Sequence, residues 1–130
     1  MTSTTILVAD DHRPILELVR FTLEADGVTV LEAANGVEAL AMARAARPDL
    51  VLLDVHMPGL DGLAVCRQLR ADPELSDTPI ILLTAAAQES DRLRGRAAGA
   101  DEYLTKPFSP LALLKLVRAL LPEAPVWPGM

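Results

Sequence analysis

The chain has a single cysteine, Cys66. No internal disulfide can form, and a reducing compartment is expected. Aromatic residues make up only 3% of the sequence while hydrophobic residues make up 51%, so a core must be built from Leu, Val, Ile and Ala. No stretch approaches the roughly 20 apolar residues of a membrane-spanning helix. The opening "MTSTTILVADD" lacks the basic region and long apolar segment of a secretion signal. Positive charge is also scarce: 12 Lys and Arg face 18 Asp and Glu, for a net charge of −6. Direct nucleic-acid binding, which calls for a basic stripe, is therefore not expected of this domain. What remains is a soluble, cytoplasmic domain without membrane contact, and its 130 residues suffice for one core.

Short apolar runs alternate with segments of helical period. Strands are expected at "TTILVAD" (4–10), "VTVLEAA" (28–34), "LVLL" (50–53), "IILLT" (80–84) and "DEYLT" (101–105). Between them lie helical stretches "PILELVRFTLEA" (14–25), "GVEALAMARAA" (36–46), "GLAVCRQLRA" (62–71) and "QESDRLRGRAAG" (88–99). A last helix, "PLALLKLVRALL" (110–121), follows the fifth strand. Asn35 with Glu38, Asp61 with Gly62, and Ser109 with Pro110 supply helix starts. Five strands alternating with five helices imply an α/β fold with a parallel sheet covered on both faces. Residues 1–121 form the expected domain, and 122–130, with three prolines in the last nine residues, a tail or linker stub.

The third strand ends in an acid, Asp54, and the first ends in Asp10-Asp11. The fourth ends in Thr84, and Lys106 follows the fifth. Ligands of open parallel sheets bind outside the carboxyl ends of the strands, where strand order reverses. In the order 2-1-3-4-5 the first and third strands are neighbours at that point, which gathers three carboxylates. Two such charges about 4 Å apart repel by about 4 kcal/mol at a near-surface dielectric. The cluster must bind protons or hold a cation. With His12 and His56 read as isolated and Cys66 on a helix, an oxygen site for Mg²⁺ or Mn²⁺ is expected. A carboxylate beside such an ion can attack phosphorus, with Lys106 and the Thr84 hydroxyl stabilising the transferring group.

Four pieces, "VADD" (8–11), "LLDVHMPGLDG" (52–62), "LTA" (83–85) and "GADEYLTKPF" (99–108), come in order, each at a strand end. Together they resemble the receiver domain of two-component response regulators over about residues 5–121. The resemblance implies a flavodoxin-like doubly wound (βα)5 fold in the order 2-1-3-4-5. It implies Asp54 as phosphoacceptor, with Asp11, Asp10, Asp54 and the backbone carbonyl of His56 around Mg²⁺. Thr84 and Lys106 would contact the phosphoryl group, and the Lys106–Pro107 peptide would be cis. His56 and Ala86 would border that group and tune its lifetime. On phosphorylation Thr84 and Tyr103 would move together, changing the face formed by the fourth helix, fifth strand and fifth helix. The implied donor is a sensor histidine kinase or phosphotransfer protein in a phosphorelay. The implied target is a downstream effector or fused output domain, with a homodimer on activation open.

On this reading the chain is a signalling phosphoprotein and not an enzyme: it catalyses only its own aspartyl phosphorylation and dephosphorylation. Three alternatives stand beside it. A haloacid-dehalogenase-like phosphatase also uses Asp, Mg²⁺ and Lys, but wants an acid where His56 stands. A flavodoxin needs a hydroxyl- and glycine-rich loop where this chain has "DDHRP". A phospho-independent pseudo-receiver would leave the reactive set without purpose. The remaining residues read blandly. His12 is expected in an exposed loop, Cys66 in the core, and Arg92, Arg94 and Arg96 on a solvated face. Gly95 is expected to weaken its helix by about 1 kcal/mol against alanine. Asp101 and Arg118 are placed to pair, and Trp127 to be solvated in the tail.

Overall fold

The structure is a computed structural model and describes residues 3–85 and 89–122. Ala86 and Trp127, with most of the proline-rich end, lie outside the described residues. Strands β1 (Thr4–Ala9), β2 (Val28–Ala33), β3 (Leu50–Asp54), β4 (Ile80–Thr84) and β5 (Glu102–Thr105) form one sheet. All neighbours are parallel, in the expected order β2-β1-β3-β4-β5. Helices α1 (Arg13–Leu23), α2 (Gly36–Ala46), α3 (Gly62–Ala71), α4 (Glu89–Ala98) and α5 (Pro110–Leu120) supply the crossovers. Among the described residues no helix is long and apolar enough to cross a membrane.

The uninterrupted apolar strands are explained by burial on both faces. Along β3, Leu50 and Leu52 face one core while Val51 and Leu53 face the other. The first core packs Ile6, Val8, Ile81 and Leu83 against Leu16, Val19 and Leu23 of α1 and Leu113 and Val117 of α5. The second packs Leu7, Leu53 and Leu82 against Ala39 and Ala43 of α2 and Val65, Cys66 and Leu69 of α3. Each of the four hydrophobes of β3 is 0% exposed, as are those of β4, so the strand that ends in Asp54 lies in the enclosed centre of the sheet.

Helix starts follow the sequence. The side chains of Asn35, Asp61 and Ser109 accept the N–H groups of Glu38, Ala64 and Ala112 at 2.8, 2.8 and 3.1 Å. Helix α1 opens one residue before Pro14, after His12, whose side chain makes no capping bond. Gly62 and Gly95 are among the glycines set by close approach. A Cβ on Gly62 would collide with the backbone carbonyl of Asp54, and one on Gly95 would come within 2.6 Å of Leu82 Cδ1. Gly95 therefore lets α4 lie close to β4, a packing reason beyond the propensity cost.

Two expected contacts are corrected. Asp101 does not pair with Arg118; its Oδ2 accepts from Arg70 Nη2 and from the backbone N–H of Ile80, both at 2.8 Å. The same guanidinium donates to the carbonyls of Gly99, Ser76 and Thr78, tying the end of α3 to the turns before β4 and β5. Arg92 is not fully solvated either: its guanidinium lies 4.5 Å from the centroid of the Tyr103 ring, a cation–π contact.

Candidate functional site

The sheet reverses its winding between β1 and β3, and the carboxyl ends of both strands open there. Asp54 is the last residue of β3, and Asp10 follows the last residue of β1, its N–H extending the ladder to Ala33 O at 3.1 Å. Strand geometry thus points both acids out of the same sheet edge. Asp10 is 0% exposed and Asp54 3%. Asp11 is more open. One oxygen from each of Asp10, Asp11 and Asp54, together with one His12 ring nitrogen, all lie within 4.8 Å of one another.

Lys106 reaches across from the end of β5, its N–H held by Thr84 O at 2.7 Å. Its Nζ lies 2.6 Å from Asp10 Oδ2 and 3.5 Å from Asp54 Oδ1. One ammonium therefore neutralises part of a cluster of three acids, more closely at Asp10 than at Asp54. Asp54 Oδ1 also accepts a long bond from the His56 N–H, at 3.4 Å. Among the described residues, Asp54 Oδ2 is buried with no hydrogen-bond partner. Burial, and then the neighbouring charge of Asp10, push the Asp54 carboxyl up to about 6 against the opposing pull of Lys106 and the His56 N–H. An unsatisfied buried oxygen with a raised proton affinity is what a carboxylate shows when a positive charge would relieve it. The donor set of carboxylate oxygens fits a hard divalent ion.

The remaining expected residues fall around this cluster. Thr84 ends β4 and is buried. His56 and Lys106 line a recess of about 530 Å³ over Asp54, with His12, Pro14, Ile15, Ala85 and Pro107 as the other walls. The Lys106–Pro107 peptide is cis. Tyr103 is outside the acid cluster: it pairs in register with Leu82 and is half-buried beneath Arg92. No carboxylate stands at position 56, so the leaving-group acid wanted by the phosphatase alternative is missing there. Cys66 is buried, with Sγ 3.4 Å from Ala98 O, and burial pushes its thiol up to about 11. It takes no part in the site.

Sequence reasoning missed His12. Its ring Nδ1 sits 2.9 Å from Asp10 Oδ1 and 3.2 Å from Asp11 Oδ1, and its backbone N–H donates to Asp10 Oδ1 at 2.8 Å. The sequence signal was its place immediately after the two acids; what it could not show was the direction of the ring.

A family model described as the response regulator receiver domain matches residues 6–118. The transcriptional regulatory protein ResD of Bacillus subtilis is 49% identical over 121 residues, covering 93% of this chain and 49% of its own length. The response regulator MprA of Mycobacterium ulcerans is 52% identical over 119 residues, covering 92% of this chain and 50% of its own. The chain thus spans about half the length of these curated relatives. Among solved structures, the chemotaxis response regulator CheY4 of Vibrio cholerae superposes with a TM-score of 0.86 at 38% identity, covering 92% of this chain and all of that one. The matches run from the first strand into the last helix and carry both sequence and shape, and on them this chain belongs to the response regulator receiver domain family.

Proposed function

We propose that this receiver domain is a phosphorylation-dependent switch in which Asp54 accepts a phosphoryl group with Mg²⁺, or Mn²⁺ in its place. The observation that carries the reading is the buried Oδ2 of Asp54, unpartnered among the described residues, beside two further acids and a lysine. Asp10, Asp11, Asp54 and the carbonyl of His56 would hold the ion. When bound, it neutralises the acids and draws negative charge from the phosphoryl oxygens. The residues then divide the work. Asp54 is the nucleophile, forming the new O–P bond as the donor's leaving group departs. Lys106, already poised 3.5 Å from Asp54, stabilises the transferred group, and Thr84 donates its hydroxyl. His56, on the wall of the recess, and Ala86 set how readily water reaches the acyl phosphate.

The donor would be a histidine kinase or phosphotransfer protein, or a small acyl phosphate entering the recess. The switch would run from Thr84 to Tyr103 and then to the α4–β5–α5 face, which meets an effector. Two relatives are named as transcriptional or DNA-binding regulators, and half of each matches this chain, which supports an output carried by a partner or by another segment.

Acetyl phosphate with Mg²⁺ is expected to add one phosphoryl group that is acid-stable and base-labile. Asp54→Asn is expected to abolish it. Undiminished labelling in that variant would refute the assignment of the phosphoacceptor.

A further inference from the structure

The ring of His12 is turned into the acidic cluster. An N-terminal helix position ordinarily spends its side chain on the free N–H groups of the first turn. His12 makes no such bond, and its Nδ1 instead faces carboxylate oxygens of Asp10 and Asp11 at 2.9 and 3.2 Å. Neighbouring ligand atoms around an ion with bonds of about 2.1 Å stand about 3 Å apart in octahedral geometry. The nitrogen is therefore spaced as a ligand would be, in a cluster where buried Asp54 has an oxygen without a partner among the described residues.

We propose that His12 is a nitrogen ligand of this site, which biases it from Mg²⁺ toward divalent transition-metal ions such as Mn²⁺ and Co²⁺. The inference rests on the reading of Asp10, Asp11 and Asp54 as a divalent-cation site. Imidazole nitrogen is a better donor to these ions than to Mg²⁺, which prefers oxygen and retains its waters. With the acids alone, Nδ1 carries a proton and donates it to Asp10 Oδ1. With an ion present the ring is neutral with its proton on Nε2, and the Nδ1 lone pair is donated to the metal. The ring's 64% exposure leaves it free to make that change without disturbing the core.

The competing role for His12 is that of a hydrogen-bond donor steadying Asp10, with no bond to the ion. The chain has only two histidines, which makes the two roles separable. Pulsed electron paramagnetic resonance of the Mn²⁺-loaded protein reads a directly coordinated nitrogen as hyperfine coupling. The coupling is expected in the wild type and in His56→Gln, and is expected to vanish in His12→Gln. Calorimetric titration is expected to show Co²⁺ affinity falling by about tenfold or more in His12→Gln, a typical loss for a metal-site partner, while Mg²⁺ affinity changes by under about threefold. Bound Mn²⁺ without nitrogen coupling, coupling that survives in His12→Gln, or equal losses for Co²⁺ and Mg²⁺ would overturn the proposal and leave the oxygen site standing. A wild type that binds neither Mn²⁺ nor Mg²⁺ would overturn the cation-site reading itself.

Discussion

Asp54 provides a stability signature that can be read without any phosphoryl donor. In the metal-free protein burial and Asp10 raise its carboxyl from the ordinary value of 3.8 up to about 6. The folded state therefore keeps the proton over a pH range in which the unfolded chain has already released it. Stability from that proton is fully present below about pH 4 and is lost as pH rises through about 6. At about 1.4 kcal/mol per unit of pKa, the change between pH 4.5 and 7.5 is about 2 kcal/mol. Asp54→Asn resembles the protonated acid at every pH and cannot show this loss. In chelator-treated protein, the stability difference between variant and wild type is therefore expected to move by about 2 kcal/mol in favour of the variant from pH 4.5 to 7.5. Urea unfolding at the two pH values measures it, and taking the difference cancels the other titrating groups. A difference independent of pH, or one that moves the opposite way, would refute the claim that Asp54 is held under electrostatic strain.

Arg70→Met is expected to cost about 2–4 kcal/mol, because it strips partners from the carbonyls of Gly99, Ser76 and Thr78 and from Asp101. Amide exchange should accelerate around residues 76–80 and 99–101 first, and unchanged rates there would count against the clamp. Gly62→Ala is expected to cost about 2–3 kcal/mol and to lower acetyl phosphate labelling, since its new methyl meets the backbone of Asp54. Chemical denaturation and the labelling assay report the two effects separately, and full labelling would show that the end of β3 had not moved.

The parts of the fold that were plain in the sequence are those buried on two sides. Leu50 to Leu53 and Ile80 to Leu83 are apolar without interruption because each successive side chain meets a different core. The acids were equally plain, since Asp10 and Asp54 break such runs where the strands leave the sheet. Boundaries slipped where tertiary contacts intervened. The fifth strand begins at Glu102, just after Asp101, whose N–H donates to Ile80 O at 3.0 Å while its carboxylate is engaged by Arg70 and the N–H of Ile80. Nothing in "RQLRA" sets Arg70 apart from Arg67, and only the approach of the turns at 76–78 and 99–101 gives it partners. Likewise Arg92 sits in an arginine-rich stretch whose pattern is that of a wet surface, yet the ring it covers is contributed by a different element. Sequence pattern conveys which residues are buried by their own element. It does not convey which long cation will find a distant carbonyl or an aromatic face.

The stacking of Arg92 on Tyr103 has a practical corollary. Tyr103 is the chain's one tyrosine. Fluorinated tyrosine incorporated during growth therefore lights a single spot, on the path by which the Asp54 pocket would speak to the outer face. One resonance line, followed as donor is added, then serves as a built-in gauge of whether that conversation has begun.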